Sequence, residues 1–262
     1  MKGFGNALWC EAVKAGKSKM LWITILVFVF VGLMMGLIML VSLHPEYAGK
    51  SAILSTKASF IKRADWQNYF GLFIQIILTL GTMAFGVVAA WVFGREYSDR
   101  TINDLLALPV SRFAIVTSKF IIVFIWCIIL TLTIFIVGVV MGISIHIGDW
   151  TAGMLIHYFK IFVGSGLLTL ICSTPVAFIA SYGRGFLLAI GFAIFILILT
   201  QFVFAGVPGI TPYFPWAIPA LYSGLAGPDL PRPEILSYFI LIITSLLGYL
   251  GTATWWQYAD QK

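Results

Sequence analysis

Charged side chains are scarce in this sequence, and aspartate and glutamate are absent from all of its long apolar stretches. Only 10% of the 262 residues are charged and 61% are hydrophobic, whereas about 25% are charged in a typical soluble domain. Length and composition together leave room for about six membrane spans and their loops, but not for a separate catalytic domain. We therefore predict a polytopic membrane protein.

Recognisable catalytic, metal and nucleotide motifs are also missing. The three cysteines and three histidines lack the spacing of a metal site or a disulfide framework, and no nucleophile–histidine–acid pattern is present. The tripeptide Gly16-Lys17-Ser18 imitates the end of a phosphate-binding loop, but Glu11 stands where the motif needs its first glycine. The net charge of +6 arises beside apolar stretches, which indicates membrane flanks and not nucleic-acid binding. We predict no cofactor or metal in this chain.

Six apolar stretches are long enough to cross a bilayer as helices, so the predicted fold class is all-α. They comprise residues 20–41, 69–93, 113–143, 157–180, 186–205 and 235–256. Pro175 is predicted to kink the fourth span. Before them, residues 1–19 combine apolar positions at helical spacing with four lysines, which predicts an interfacial helix. Lysine and arginine are more frequent on the N-terminal side of the bundle, which predicts cytoplasmic N- and C-termini.

The charged segment 95–112, REYSDRTINDLLALPVSR, separates the second and third predicted spans. It must lie outside the hydrocarbon core, because each buried charge would cost roughly 3 kcal/mol there. Asp99 or Thr101 can cap a short helix that ends at Pro109 and carries leucines on one face. Such a helix either docks on another protein or lies on the lipid headgroups.

Two further regions are predicted to serve transport. Residues 207–233 contain seven prolines among aromatic residues, which indicates short broken helices that dip into the outer leaflet or cap an outer opening. This segment is either a rigid lid or a simple surface-packed loop. The few polar side chains inside the spans are candidates for lining a pathway. They are Gln75, Thr79, Thr131, Thr169 and Gln201.

Residues 93–101, FGREYSDRT, and 105–112, LLALPVSR, resemble the cytoplasmic loop of ABC-2 type permeases, in particular the bacitracin-resistance-like and lantibiotic-immunity-like exporter subunits. Residues 213–220, YFPWAIPA, are similar to the outer segment of that family. The resemblance implies that residues 1–262 form one transmembrane domain of an exporter. It includes the interfacial helix, a coupling loop at 95–112 and an outer re-entrant segment at 207–233.

The resemblance also implies partners. A separate ABC ATPase, in two copies, would bind ATP and magnesium, and a second permease subunit would complete a homodimer in the plasma membrane. Residues for ATPase coupling would be Glu96, Tyr97, Asp99, Arg100, Thr101, Asp104, Leu105, Leu106, Pro109 and Arg112. Among these, Glu96, Arg100, Thr101 and Asp104 would supply polar contacts, and Leu105 and Leu106 the apolar contact.

The expected cargo is amphipathic or hydrophobic, such as a peptide antibiotic, a drug or a lipid-like molecule. Two other functions remain open from the sequence. An ion-coupled secondary transporter would need an intramembrane carboxylate or a broken-helix ion site, which the deep apolar stretches do not offer. A membrane immunity or scaffold protein that transports nothing would need neither an energy source nor a pathway.

Overall fold

The computed structural model describes residues 2–44, 46, 65–102, 105, 109–148, 150–225 and 230–258. Most of these residues are helical, and none of them forms a strand. The helices are α1 (Lys2–Gly16), α2 (Lys19–Leu43), α3 (Trp66–Ser98), α4 (Arg112–Ser144), α5 (Ala152–Ile171), α6 (Thr174–Tyr182), α7 (Phe186–Gly206), α8 (Ile218–Ser223) and α9 (Ile235–Tyr258). Two 3₁₀ turns, Pro208–Tyr213 and Pro215–Ala217, precede α8. The prediction of an all-α fold is confirmed.

Six of these segments are long and apolar enough to cross a membrane, as predicted: α2, α3, α4, α5 with α6, α7 and α9. Consecutive spans run in opposite directions. We call the end that holds α1, residues 95–102 and 109–112 and the last turn of α9 the loop end. The end that holds Trp66, Ala152 and residues 207–225 is the opposite end.

Polar residues at the span boundaries start several of the helices. The side chains of Ser18, Asp65, Ser111 and Thr151 each accept a hydrogen bond from the backbone N–H three residues further on. Such caps satisfy one of the four N–H groups that the first helical turn leaves without a partner. The helix boundaries thus follow directly from local sequence.

α3 is the central helix of the bundle and packs against α2, α4, α5, α6 and α7. It supplies several of the largest fully buried side chains, including Trp66, Tyr69, Phe73, Phe85 and Phe93. Small residues allow its neighbours to approach. A Cβ atom on Gly142 would lie 2.5 Å from the Trp66 ring, and one on Gly32 would lie 2.7 Å from Val137 of the adjacent helix. Close helix contacts of this kind are typical of membrane bundles.

Candidate functional site

The segment 95–112 begins inside a helix and not in a loop. α3 continues through Arg95, Glu96 and Tyr97 to Ser98, five residues past the predicted end of the second span. It then closes with two backbone hydrogen bonds, Arg100 N–H to the Tyr97 carbonyl at 3.2 Å and Thr101 N–H to the Glu96 carbonyl at 3.0 Å. This is a Schellman ending, with Arg100 in the left-handed region at φ 58°.

Glu96 is the centre of a charge cluster, which consists of the buried residues Glu11, Glu96 and Lys119 and the half-buried residues Lys14 and Arg95. Its carboxylate lies 2.9 Å from Lys119 Nζ, 3.0 Å from Lys14 Nζ and 3.5 Å from Arg95 Nε. The residue is only 3% exposed. The second carboxylate oxygen accepts a hydrogen bond from Thr101 Oγ1 at 2.7 Å. Every acceptor of Glu96 is therefore engaged inside its own chain.

Lys119, in the second turn of α4, has no exposed surface. Its ammonium group donates to Glu96 at 2.9 Å, to Glu11 at 3.1 Å and to the carbonyl of Val92 at 3.2 Å. A lysine has three donors, so this one is fully satisfied within the bundle. A lysine in an apolar span usually extends its ammonium group to the headgroups, but here two carboxylates hold Lys119 inside the bundle.

α1 supplies the other anion of the cluster. Glu11 is 3% exposed and lies 3.0 Å from Lys14 and 3.1 Å from Lys119. Burial alone would lower the pKa of Lys14, but the charges of Glu11 and Glu96 outweigh it, so this pKa is raised above its ordinary value. Lys14 is therefore ionised at neutral pH.

These contacts join three helices and the turn after α3. A buried charge is expensive unless it is paired and hydrogen-bonded, so the cluster is stable only when α1, α3 and α4 keep their mutual positions. Thr101 extends this support to the turn through its bond to Glu96. The arrangement can hold the exposed turn rigidly and transmit a displacement of the turn to α1 and α4.

The residues predicted for ATPase coupling divide into exposed and internal groups. Asp99, Arg100, Thr101 and Pro109 are exposed. Glu96 and Leu105 are buried, and Leu105, at 9% exposure, packs with Ile102 into the hydrophobic core of this chain. A direct contact of Glu96 or Leu105 with a partner is therefore not available in this conformation.

Two further predicted residues hold the end of α9. Arg112 Nη1 donates to the carbonyls of Trp256 and Gln257 at 3.1 and 3.2 Å, which satisfies carbonyl groups of the last helical turn. The ring of half-buried Tyr97 contacts the Trp256 ring at 6.1 Å between centroids. The predictions for Asp104 and Leu106 lie outside the described residues.

Sequence reasoning missed Glu11 and Lys119 as members of this site. Glu11 is the single acidic residue in the first 45 positions, and it lies on the same helical face as Leu8, Ala12 and Ala15. A carboxylate on the apolar face of a helix indicates a buried cationic partner. Lys119 is a lone cation within an apolar span, which likewise indicates a buried carboxylate as its partner.

A second candidate site is an open cavity of about 550 Å³ toward the opposite end. Three of the predicted pathway residues, Gln75, Thr79 and Gln201, line it together. Gln67, Asn68 and Thr200 add further amide and hydroxyl groups to the wall, and Trp216 borders it. The cavity thus lies between α3, α7 and the segment after α7, and uncharged polar groups line it.

The other two pathway candidates do not reach this cavity. Thr131 and Thr169 are buried and donate to the carbonyls of Cys127 and Ser165 of their own helices, both at 2.8 Å. Thr131 also packs against Gly166. Within the described part of the chain, no group of three His, Cys, Asp or Glu side chains is arranged to hold a metal ion.

Comparisons with known proteins agree with this architecture. A family profile described as ABC-2 family transporter protein matches residues 7–200, which include the whole charge cluster and segment 95–112. The chain is also 29% identical over 191 residues to the bacitracin transport permease protein BCRB of Bacillus licheniformis. That alignment covers 71% of this chain and 88% of the relative.

Proposed function

This chain belongs to the ABC-2 family of transporter proteins, and on that premise we propose that it is the non-catalytic permease subunit of an ATP-driven exporter. A separate ABC ATPase would bind ATP and magnesium and would move the permease. The observation that carries this proposal is the exposed turn at Asp99–Arg100–Thr101, fixed to the charge cluster by the 2.7 Å contact between Thr101 and Glu96.

The proposed docking surface is narrower than the ten residues predicted from the sequence. We assign direct contact with the ATPase to the exposed residues Asp99, Arg100, Thr101 and Pro109. Glu96, Leu105 and Arg112 would support this surface from within, since their side chains already contact the permease itself. A push on the turn would then reach α1 and α4 through rigid ionic contacts.

The proposed pathway includes the cavity lined by Gln75, Thr79 and Gln201. Exposed amides within membrane-spanning helices are unfavourable against lipid, so they indicate contact with water, cargo or another protein chain. A second copy of the permease facing this cavity would enclose it, which favours a homodimer with two ATPase subunits. The polar but uncharged lining suits an amphipathic or hydrophobic cargo moved out of the cell or the membrane.

The relative is named for the transport of bacitracin, and this name favours a peptide antibiotic within that class of cargo. The proposed location is the plasma membrane. Both the first helix and the last turn of α9 lie at the loop end, and we place this end in the cytoplasm.

The proposal is tested by purifying a tagged chain in mild detergent from cells that make it naturally. We expect an ABC ATPase to co-purify, and the double variant Asp99→Lys with Arg100→Glu to lose it while remaining folded. Lys160→Glu, on the exposed surface of α5, is the matched control and should retain the ATPase. Undiminished co-purification with the double variant would reject the docking surface.

Two measurements separate the alternatives. Cargo efflux that continues without ATP and stops with an ionophore would identify an ion-coupled transporter. Full resistance in cells whose partner ATPase cannot hydrolyse ATP would identify an immunity or scaffold protein.

Labelling of Ser98→Cys by an impermeant reagent outside intact cells would place the loop end outside and overturn the proposal.

A further inference from the structure

The fourth span is broken at Cys172 and Ser173, where α5 ends and α6 begins. Pro175 has no N–H, so the carbonyl of Ile171 loses its helical partner, and the hydroxyl of Thr174 replaces it at 3.0 Å. The N–H of Val176, which would normally bond Cys172, donates instead to Ser173 at 3.1 Å. The carbonyl of Cys172 is thereby released from the helix.

Trp216 fills this position from the segment between α7 and α9. Its indole Nε1 donates to the Cys172 carbonyl at 3.0 Å, and the Cys172 thiol donates to the carbonyl of Pro215 at 3.4 Å. Phe214 and Phe192 pack around the indole, with ring centroids 5.4 and 6.4 Å away. An acceptor created by the helix break thus fixes the position of the indole.

The indole lies between two cavities of very different size. On one side is the cavity of about 550 Å³ lined by Gln75, Thr79 and Gln201. On the other side, Trp216 lines a cavity of about 10 Å³ together with Thr82, Thr169 and Ser173. The smaller volume is at the lower limit for a single water molecule.

Polar side chains continue past the indole along α3. Gln75 and Thr79 face the large cavity, and Thr82, one helical turn beyond Thr79, faces the small one. Thr169 and Ser173 extend the series of hydroxyl groups on the neighbouring span. Polar side chains therefore continue along the helices from the large cavity to the small one, but the open space between the two cavities is interrupted at Trp216.

We propose that Trp216 closes the transport pathway at the inner end of the large cavity, and that release of its indole from the Cys172 carbonyl opens the passage. This inference rests on the proposed function, because it takes the large cavity as the outer part of the pathway. The closure uses one directional hydrogen bond and aromatic packing, both of which a moderate movement of α5 relative to the outer segment can break.

Cys172 provides a native reporter, because it lines the small cavity behind Trp216 and is buried. An impermeant, negatively charged thiosulfonate is added outside intact cells, and mass spectrometry identifies the modified cysteine. We expect little labelling of wild type and at least about tenfold faster labelling of Cys172 in Trp216→Ala, since removal of the indole admits water.

Trp216→Phe keeps an aromatic ring and removes the donor. Its labelling should be roughly threefold to tenfold faster than wild type, the change that follows from losing one net hydrogen bond. Trp150→Ala is the control, because Trp150 is an exposed tryptophan near the opposite end that borders neither cavity. It should label like wild type.

Gln201→Cys separates failure of this inference from failure of the proposed function. If outside reagent labels Gln201→Cys while Cys172 stays unreactive in both Trp216 variants, Trp216 does not close the pathway. Labelling of Gln201→Cys only in inverted vesicles would show that the cavity opens to the cytoplasm and would reject the proposed orientation. Rapid labelling of Cys172 in wild type would also overturn the closure.

Discussion

The two ends of this bundle use polar side chains in opposite ways. At the loop end, the five residues of the charge cluster are buried or half-buried, and their oppositely charged groups lie 2.9–3.9 Å apart. Their hydrogen bonds are directed mainly at each other. Toward the opposite end, amides and hydroxyls line an open cavity of about 550 Å³ that has no charged residue in its described wall. Charges fixed in pairs give rigidity, whereas neutral polar groups that face open space can contact a passing molecule.

This comparison predicts how each end responds to mutation. Loss of a charge at the loop end should reduce stability, because its partners remain buried without compensation. Loss of an amide at the cavity should leave stability nearly unchanged and reduce transport. Four changes, from the largest to the smallest expected effect on stability, test this difference.

Replacement of Lys119 by methionine should destabilise the protein by about 3–5 kcal/mol, the usual effect of removing one partner of a buried ion pair. Lys119 contacts both carboxylates of the cluster, so Glu11 and Glu96 would both be affected. Thermal unfolding in detergent measures the change. Lys160→Met on the exposed face of α5 is the control, and equal stability of the two variants would contradict the role of the cluster.

Thr101→Val should destabilise the protein by about 1.5–3 kcal/mol, because the charged carboxylate of Glu96 loses the hydrogen bond that the Thr101 hydroxyl donates. The shape of the side chain is preserved, so packing changes little. The temperature of unfolding and the amount of co-purified ATPase should both fall. Thr254→Val removes an exposed hydroxyl that bonds only its own helix, and it should affect neither. An intact Thr101→Val complex would show that the turn needs no support from Glu96.

Arg100 and His146 have left-handed backbone conformations, at φ 58° and 54°, which glycine adopts without strain. Arg100→Gly and His146→Gly should therefore each stabilise the protein by about 1 kcal/mol. Both residues are exposed and both end a helix through the same pair of hydrogen bonds. Only Arg100→Gly should weaken ATPase binding, since His146 lies at the opposite end. A similar loss of binding in both variants would show that the effect is not local.

Gln75→Leu and Gln201→Leu should change the free energy of unfolding by no more than about 0.5 kcal/mol, as expected for exposed positions. ATP-dependent efflux should nevertheless decrease, because each variant removes one amide group from the wall of the cavity. Efflux assays with equal amounts of folded protein make the comparison. Unchanged efflux in both variants would remove the cavity from the pathway.

The number and type of spans were predictable because long apolar runs with capping residues at their ends determine helices locally. The break near Pro175 followed from the missing N–H of proline. The sequence identified Gln75, Thr79 and Gln201 only as candidates and did not predict that they lie together. Their assembly into one wall depends on how α3 and α7 pack, which no local pattern specifies.

The coupling residues were less predictable for the same reason. The family resemblance implied a polar contact between Glu96 and the ATPase, but α3 continues past this residue and turns its carboxylate toward Lys119. Its partners Lys14 and Lys119 are 82 and 23 positions away in the chain. Long-range pairing of this kind depends on the packing of three helices, and composition indicates only that an isolated charge needs a partner.

The break in the fourth span also bears on the order of biogenesis. The carbonyl that Cys172 presents at the break finds its partner 44 residues later in the chain, on Trp216. A ribosome has therefore already delivered the whole fifth span to the translocon before the fourth can be completed. Until then the carbonyl of Cys172 lacks its native partner in an apolar setting, which is unfavourable for a backbone group inside a membrane.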